Sequence, residues 1–151
     1  MLKESLGNTD LLKLPKTAFL CSSKIPASAV LKCYDWAIAQ REAGNCVVCS
    51  NHSALEKDVF KILLRGTQPL ILVLPRTLKK KWEPEISKAL EEQRLLIISP
   101  FNKNEDRITR ETAYVKNETI FKIADKVVIG HASPGGQLSK LSAGNENVSF
   151  L

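Results

Sequence analysis

The sequence predicts an α/β domain, a Rossmann-like three-layer sandwich on a mostly parallel sheet of about six strands. Three observations lead there. Short apolar runs of strand length alternate along the chain with longer segments whose apolar residues recur at helical spacing. The short runs are apolar at successive positions, as strands covered on both faces are. No Pro/Ser-rich linker or internal repeat interrupts the alternation, and 151 residues suffice for one core.

Each element has its own signal. Residues 1–15 are expected to be a separate lead-in, with a short helix through Leu2, Leu6 and Leu11, before one domain over 16–151. Thr17 to Cys21 is an apolar run ended by Ser22, Ser23 and Pro26, and reads as the first strand. Ser28 caps a helix whose inward stripe is Val30, Tyr34, Ala37 and Ile38, and Gly44 stops it. Cys46 to Ser50 is the second strand. Ser53 and Glu56 form a capping box for a helix striped by Leu55, Val59, Ile62 and Leu63, closed by Arg65 and Gly66. Leu70 to Leu74 is the third strand. Pro84 suits the first turn of a helix that buries Trp82, Ile86, Ala89 and Leu90. Leu95 to Ser99 is the fourth strand, ended by Pro100.

A polar loop over 102–111 carries Lys103, Asp106, Arg107 and Arg110. A helix over 112–124 turns Ala113, Ile120, Phe121 and Ala124 inward. Lys126 to Gly130 is the fifth strand. Pro134-Gly135-Gly136 makes a turn into a short helix over 137–141, and 147–151 is a last strand. That last strand would leave an edge on which a second copy could pair, so a homodimer is expected.

Composition narrows the function. Hydrophobic residues make up 44% and charged residues 25%, which excludes whole-chain disorder. The longest apolar run, Leu70 to Pro75, is far too short for a bilayer, and residues 1–10 hold no signal-peptide apolar core. A cytoplasmic protein without a membrane partner is expected. Net charge is +6, which favours a polyanionic partner, and Arg76, Lys79, Lys80 and Lys81 cluster just after the third strand. The four cysteines read as free, buried thiols. Cys46 and Cys49 lie three apart on a strand and so face opposite sides, which rules against a shared metal or a disulfide.

Ligands of open parallel sheets bind beyond the carboxyl ends of the strands. Those ends carry Ser22, Ser23 and Lys24; Asn51, His52 and Ser53; Arg76 and Thr77; Phe101, Asn102 and Lys103; and His131, Ser133, Gly135 and Gly136. This edge is rich in hydroxyls, amides and cations, so it suits a phosphate-bearing ligand. No dinucleotide fingerprint, P-loop, carboxylate pair or nucleophile triad is present. No cofactor, metal site or catalysis is therefore expected.

Three stretches resemble DNA-processing protein A (DprA, also called Smf). Thr17 to Ser23 resembles that family's first strand and Gly-Ser-Arg turn. Glu42 to Ser50 resembles the helix end and strand that lead to its Ser-Gly. Lys116-Asn117-Glu118-Thr119-Ile120, followed by Ala124 to Ile129, resembles its Arg-Asn-Arg-Ile-Ile helix and next strand. Gly135-Gly136-Gln137-Leu138 stands at its Ser-Gly-Ser-Leu. The resemblance implies a single-stranded DNA binder that acts in DNA processing, recombination or natural transformation beside a RecA-like recombinase. It implies a pocket lined by Ser22, Ser23, Lys24, Asn117, Gly135 and Gly136, with Lys116 in place of the family's first arginine. Asn51 joins them from the second strand end.

The chain departs from the family in three places. The family's Ser-Gly-x-Ala-x-Gly-Ile-Asp is here Ser50-Asn51-His52-Ser53-Ala54-Leu55-Glu56-Lys57, without the glycines or the aspartate. Gly-Ser-Arg is here Cys21-Ser22-Ser23, and the second arginine is Glu118, a charge reversal that would weaken phosphate contacts. Related phosphoribohydrolases use Pro-Gly-Gly-x-Gly-Thr. Here Gln137, Leu138 and Ser139 follow Pro134-Gly135-Gly136, which argues against hydrolysis. The alternative reading is a sensor for a nucleotide-derived small ligand at the same strand ends. If bases stack, Phe101 and Tyr114 are the expected platforms.

Overall fold

The computed structural model describes residues 4–102 and 104–151, so the expectations placed on Leu2 and Lys103 lie outside it. Among the described residues the strands are β1 (Glu4–Gly7), β2 (Lys16–Leu20), β3 (Cys46–Cys49), β4 (Leu70–Val73), β5 (Leu95–Ser99), β6 (Lys126–Ile129) and β7 (Val148–Phe150). The helices are α1 (Ala27–Ala43), α2 (Ala54–Leu64), α3 (Pro84–Glu91), α4 (Arg110–Ile123) and α5 (Gln137–Ser142). All strands join one sheet in the order β1-β5-β4-β3-β2-β6-β7, parallel except for β1.

The mostly parallel α/β sandwich is as predicted, with seven strands in place of about six. The additional strand replaces the helix expected through Leu2, Leu6 and Leu11. Residues 4–7 pair antiparallel with β5, and Thr9–Lys13 forms a 3-10 helix that buries Leu11. The cause is tertiary. β5 is buried along its whole length, and without β1 its outer ladder groups would stand unpaired at a sheet edge. The strand ends at Gly7, where φ is 104°. A Cβ there would collide with the Leu95 carbonyl oxygen and lie 2.9 Å from Leu90 Cδ2. Gly7→Ala is therefore expected to cost about 1–3 kcal/mol. Thermal unfolding reads this directly, and an unchanged Tm would refute the account.

Two apolar layers hold the sandwich together. On one face Phe19, Val47, Cys49, Leu70, Leu72, Leu95 and Ile97 pack under α1, α2 and α3. On the other, Ala18, Leu20, Cys46, Val48, Ile71, Val73, Leu96 and Ile98 meet Ile120 of α4 and Leu138 of α5. Cys46 and Cys49 indeed face opposite sides, and all four cysteines are free and buried. Phe19 also stacks on Trp36, with ring centroids 5.3 Å apart.

The helix expectations need three adjustments. Helix α1 begins at Ala27, so Ser28 lies inside its first turn, and the N-cap is Pro26 without a side-chain bond. Its buried stripe is Cys33 and Ala37, flanked by Val30 and Tyr34, while Ile38 stays exposed. Trp82 precedes α3 yet still packs on the core. Gly44, at φ 77°, caps α1 as expected. No helix among the described residues is long and apolar enough to cross a membrane.

Candidate functional site

The strand order reverses at β2. From there the chain runs outward through β3, β4 and β5, then crosses back along α4 to β6 on the other side. Loops that leave β2 and β6 therefore part, and a crevice opens at their carboxyl ends. A cleft of ≈ 610 Å³ lies there. Its walls are Cys21 to Lys24 after β2, His52, Ser53 and Glu56 at the start of α2, Ile108 to Arg110 with Ala113, Lys116 and Asn117 of α4, and Ser133 with Gly136 to Leu138 after β6.

Six of the eight sequence-predicted site residues meet in this cleft: Ser22, Ser23, Lys24, Lys116, Asn117 and Gly136. Asn51 and Gly135 do not line it. Gly135 is exposed at φ 72° and serves the turn. Glu118, the charge reversal, does not line it either, nor do Phe101 and Tyr114. His52 and His131 follow β3 and β6, which β2 separates, and no metal-binding cluster occurs among the described residues.

Ser22 ties the two walls together. Its amide donates to the His131 carbonyl at 2.8 Å, and its Oγ accepts from the Ser133 amide at 2.9 Å. Asn117 continues the floor. Its Nδ2 donates to Gln137 Oε1, and Gln137 Nε2 donates to the Arg110 carbonyl. Lys24 and Arg110 are exposed cations at the rim.

Two charged residues lie deeper than their sequence context suggests. Glu56 is 3% exposed. Its Oε1 accepts from Ser50 Oγ at 2.9 Å and from the Ser53 amide at 3.0 Å, and its Oε2 accepts from the Cys21 amide at 3.0 Å. One carboxylate thus fastens the ends of β2 and β3 to the start of α2. Lys116 is 2% exposed and donates to Ser50 Oγ and Asn117 Oδ1, both at 2.7 Å. Ser50 bridges the ammonium and the carboxylate, so Lys116 is a member of the floor with one of its three donors uncommitted. Burial pushes the Lys116 ammonium below the usual lysine range, against the pull of Glu56. The loss of water in the cleft, with Lys116 and Lys57 nearby, holds His52 below its usual value, and Glu56 opposes this. The cleft therefore presents a neutral imidazole at neutral pH.

Sequence reasoning also missed Arg110 and Gln137. Thr109, Ala113 and Lys116 follow i, i+4, i+7 spacing, which marks one face of α4 as the cleft wall. Thr109 caps this helix in a capping box with Thr112, and the helix begins at Arg110, two residues before the expected start.

No protein-family model and no curated protein sequence matches the chain. Solved structures do. The chain is similar to DNA processing protein A from Helicobacter pylori, described in a structure of its single-stranded DNA binding mode. The two share 17% identity at a TM-score of 0.75 over 97% of this chain and 69% of that one. It is also similar to DprA from Streptococcus pneumoniae, at 19% identity and a TM-score of 0.73 over 97% of this chain and 53% of that one. The chain thus spans about half to two thirds of these neighbours. Its fold is that of the Rossmann-like core of DprA.

Proposed function

We propose that this chain binds single-stranded DNA in the cleft between the ends of β2 and β6, as a non-catalytic DNA-processing protein. The observation that carries the reading is the pairing of rim cations Lys24 and Arg110 with a hydroxyl- and amide-lined floor on a DprA-type core. A backbone phosphate would meet the two rim cations first. Below them, Ser23 and the free donor of Lys116 offer hydrogen bonds, and the buried ammonium acts there in a poorly screened setting. Glu56 is spent on three internal bonds, so its carboxylate is not free to act as a general base.

Fluorescence anisotropy of a labelled oligothymidylate, at low and moderate salt, tests this. Lys24→Glu combined with Arg110→Glu is the informative variant. Both side chains are exposed, whereas Lys116→Glu would set a second carboxylate beside Glu56 and disturb folding. The double variant should lose on the order of 10–100-fold in affinity, and its salt slope should shrink by about 1.4 for two lost phosphate contacts. Unchanged affinity, or a folded wild type that binds nothing at low salt, would overturn the reading.

Two features favour a second reading, a nucleotide-derived small ligand. A volume of ≈ 610 Å³ suits one small molecule, and no Phe, Tyr or Trp lines the cleft for base stacking. A mononucleotide that saturates the cleft with a shallow salt slope would select it.

A further inference from the structure

We propose that the loop between β4 and α3, residues 74–83, is a second backbone-contact site for a nucleic-acid strand, extending the track from the cleft across β3. The inference rests on the reading above and adds a surface outside the cleft. The loop carries Arg76, Lys79, Lys80 and Lys81. Leu78 and Trp82, on either side of the three lysines, are half-buried and packed on the core, so the lysines between them stand exposed. Lys79 lies over the Trp82 ring at 5.9 Å, which orders the bulge further. Among the described residues none of the four cations forms an ion pair. Their charge is therefore available to a partner.

The placement joins this patch to the cleft. β4 is two strands from β2, about 10 Å along the edge at the usual strand spacing. The loop is fastened to its neighbour, because Ser99 Oγ donates to the Arg76 carbonyl and the Thr77 amide donates to the Glu105 carbonyl, each at 2.8 Å. That neighbouring loop goes on through Arg107 to Ile108, Thr109 and Arg110 at the cleft wall. Among the described residues of these two loops, three acids, Glu83, Glu105 and Asp106, are outnumbered by six cations: Arg76, Lys79, Lys80, Lys81, Arg107 and Arg110 at the cleft wall. Flexible lysines without a shaped pocket suit a repeating phosphate backbone and not one compact anion.

The test compares oligothymidylates of about five and about twenty nucleotides on wild type and on Lys79→Gln/Lys80→Gln/Lys81→Gln, with Lys24→Glu/Arg110→Glu beside them. The triple variant should bind the short strand within about twofold of wild type. It should bind the long strand on the order of tenfold or more weakly at low salt, with a salt slope smaller by about 2 for three lost contacts. The loop assignment alone falls if wild type binds both strands and the triple variant matches it, or if both lengths lose affinity equally. If folded wild type binds neither strand, the cleft reading falls and the loop assignment with it. If binding responds to the triple variant but not to the rim variant, the loop stands and the cleft reading falls.

Discussion

Glu56→Ala is expected to cost about 3–5 kcal/mol of unfolding free energy, a large share of the 5–15 kcal/mol typical of a domain. The carboxylate is 3% exposed and accepts three hydrogen bonds, from the Cys21 amide, the Ser53 amide and Ser50 Oγ. Truncation orphans all three donors and leaves the buried Lys116 ammonium without its counter-charge. Glu56→Gln separates the two contributions. It keeps one acceptor oxygen but sets an NH2 group where the other accepts, so it should lose less than the alanine variant. Urea unfolding measures both, with an unchanged m-value marking an effect on the native state. A loss below about 1 kcal/mol for the alanine variant would mean that water replaces the carboxylate, and the three-way clasp would be an incidental contact.

This site also shows how far the sequence could be read. Ser53 and Glu56 are legible as a capping box from their spacing, and the structure contains both of its bonds. The same glutamate's other oxygen accepts from Cys21, 35 residues away, and no local pattern announces that contact. The resemblance puts Lys116 in the pocket in place of an arginine, but its burial has no local signal, because lysines seldom bury. Its partner Ser50 lies 66 residues back, just after β3. Strand β1 was hidden for the same reason, since Glu4 pairs with Ser99 and the four-residue segment has little pattern of its own. What was legible followed from period and punctuation: the alternating strands, the opposite faces of Cys46 and Cys49, and the strand ends that supply most of the cleft.

Alkaline conditions should weaken the fold steeply between pH 9 and 11, through the thiols. Burial raises Cys46 from 9.0 to about 11. Burial first, then the neighbouring Cys33 and Glu56, raises Cys21 to about 12, and burial with nearby Cys46 and Glu56 raises Cys49 further. In the native state these groups keep their protons, while the unfolded chain releases them above about 9. The unfolded state then binds fewer protons, so stability is full below pH 9 and falls as pH rises, by about 1.4 kcal/mol per unit for each thiol. Lys116 works the other way. Its folded value lies below the usual 10.5, so the unfolded chain holds that proton longer and stability gains with pH up to that point. Burial raises Cys33 too, so four thiols oppose this one ammonium and the net effect above pH 9 is a loss. Urea midpoints under reductant, taken at intervals from pH 7 to 10.5, would trace the fall. Cys46→Ala should flatten it by removing one thiol, at a packing cost that is constant with pH. A midpoint that stays level to pH 10 would show that the strands open locally and let the thiols ionise without global unfolding.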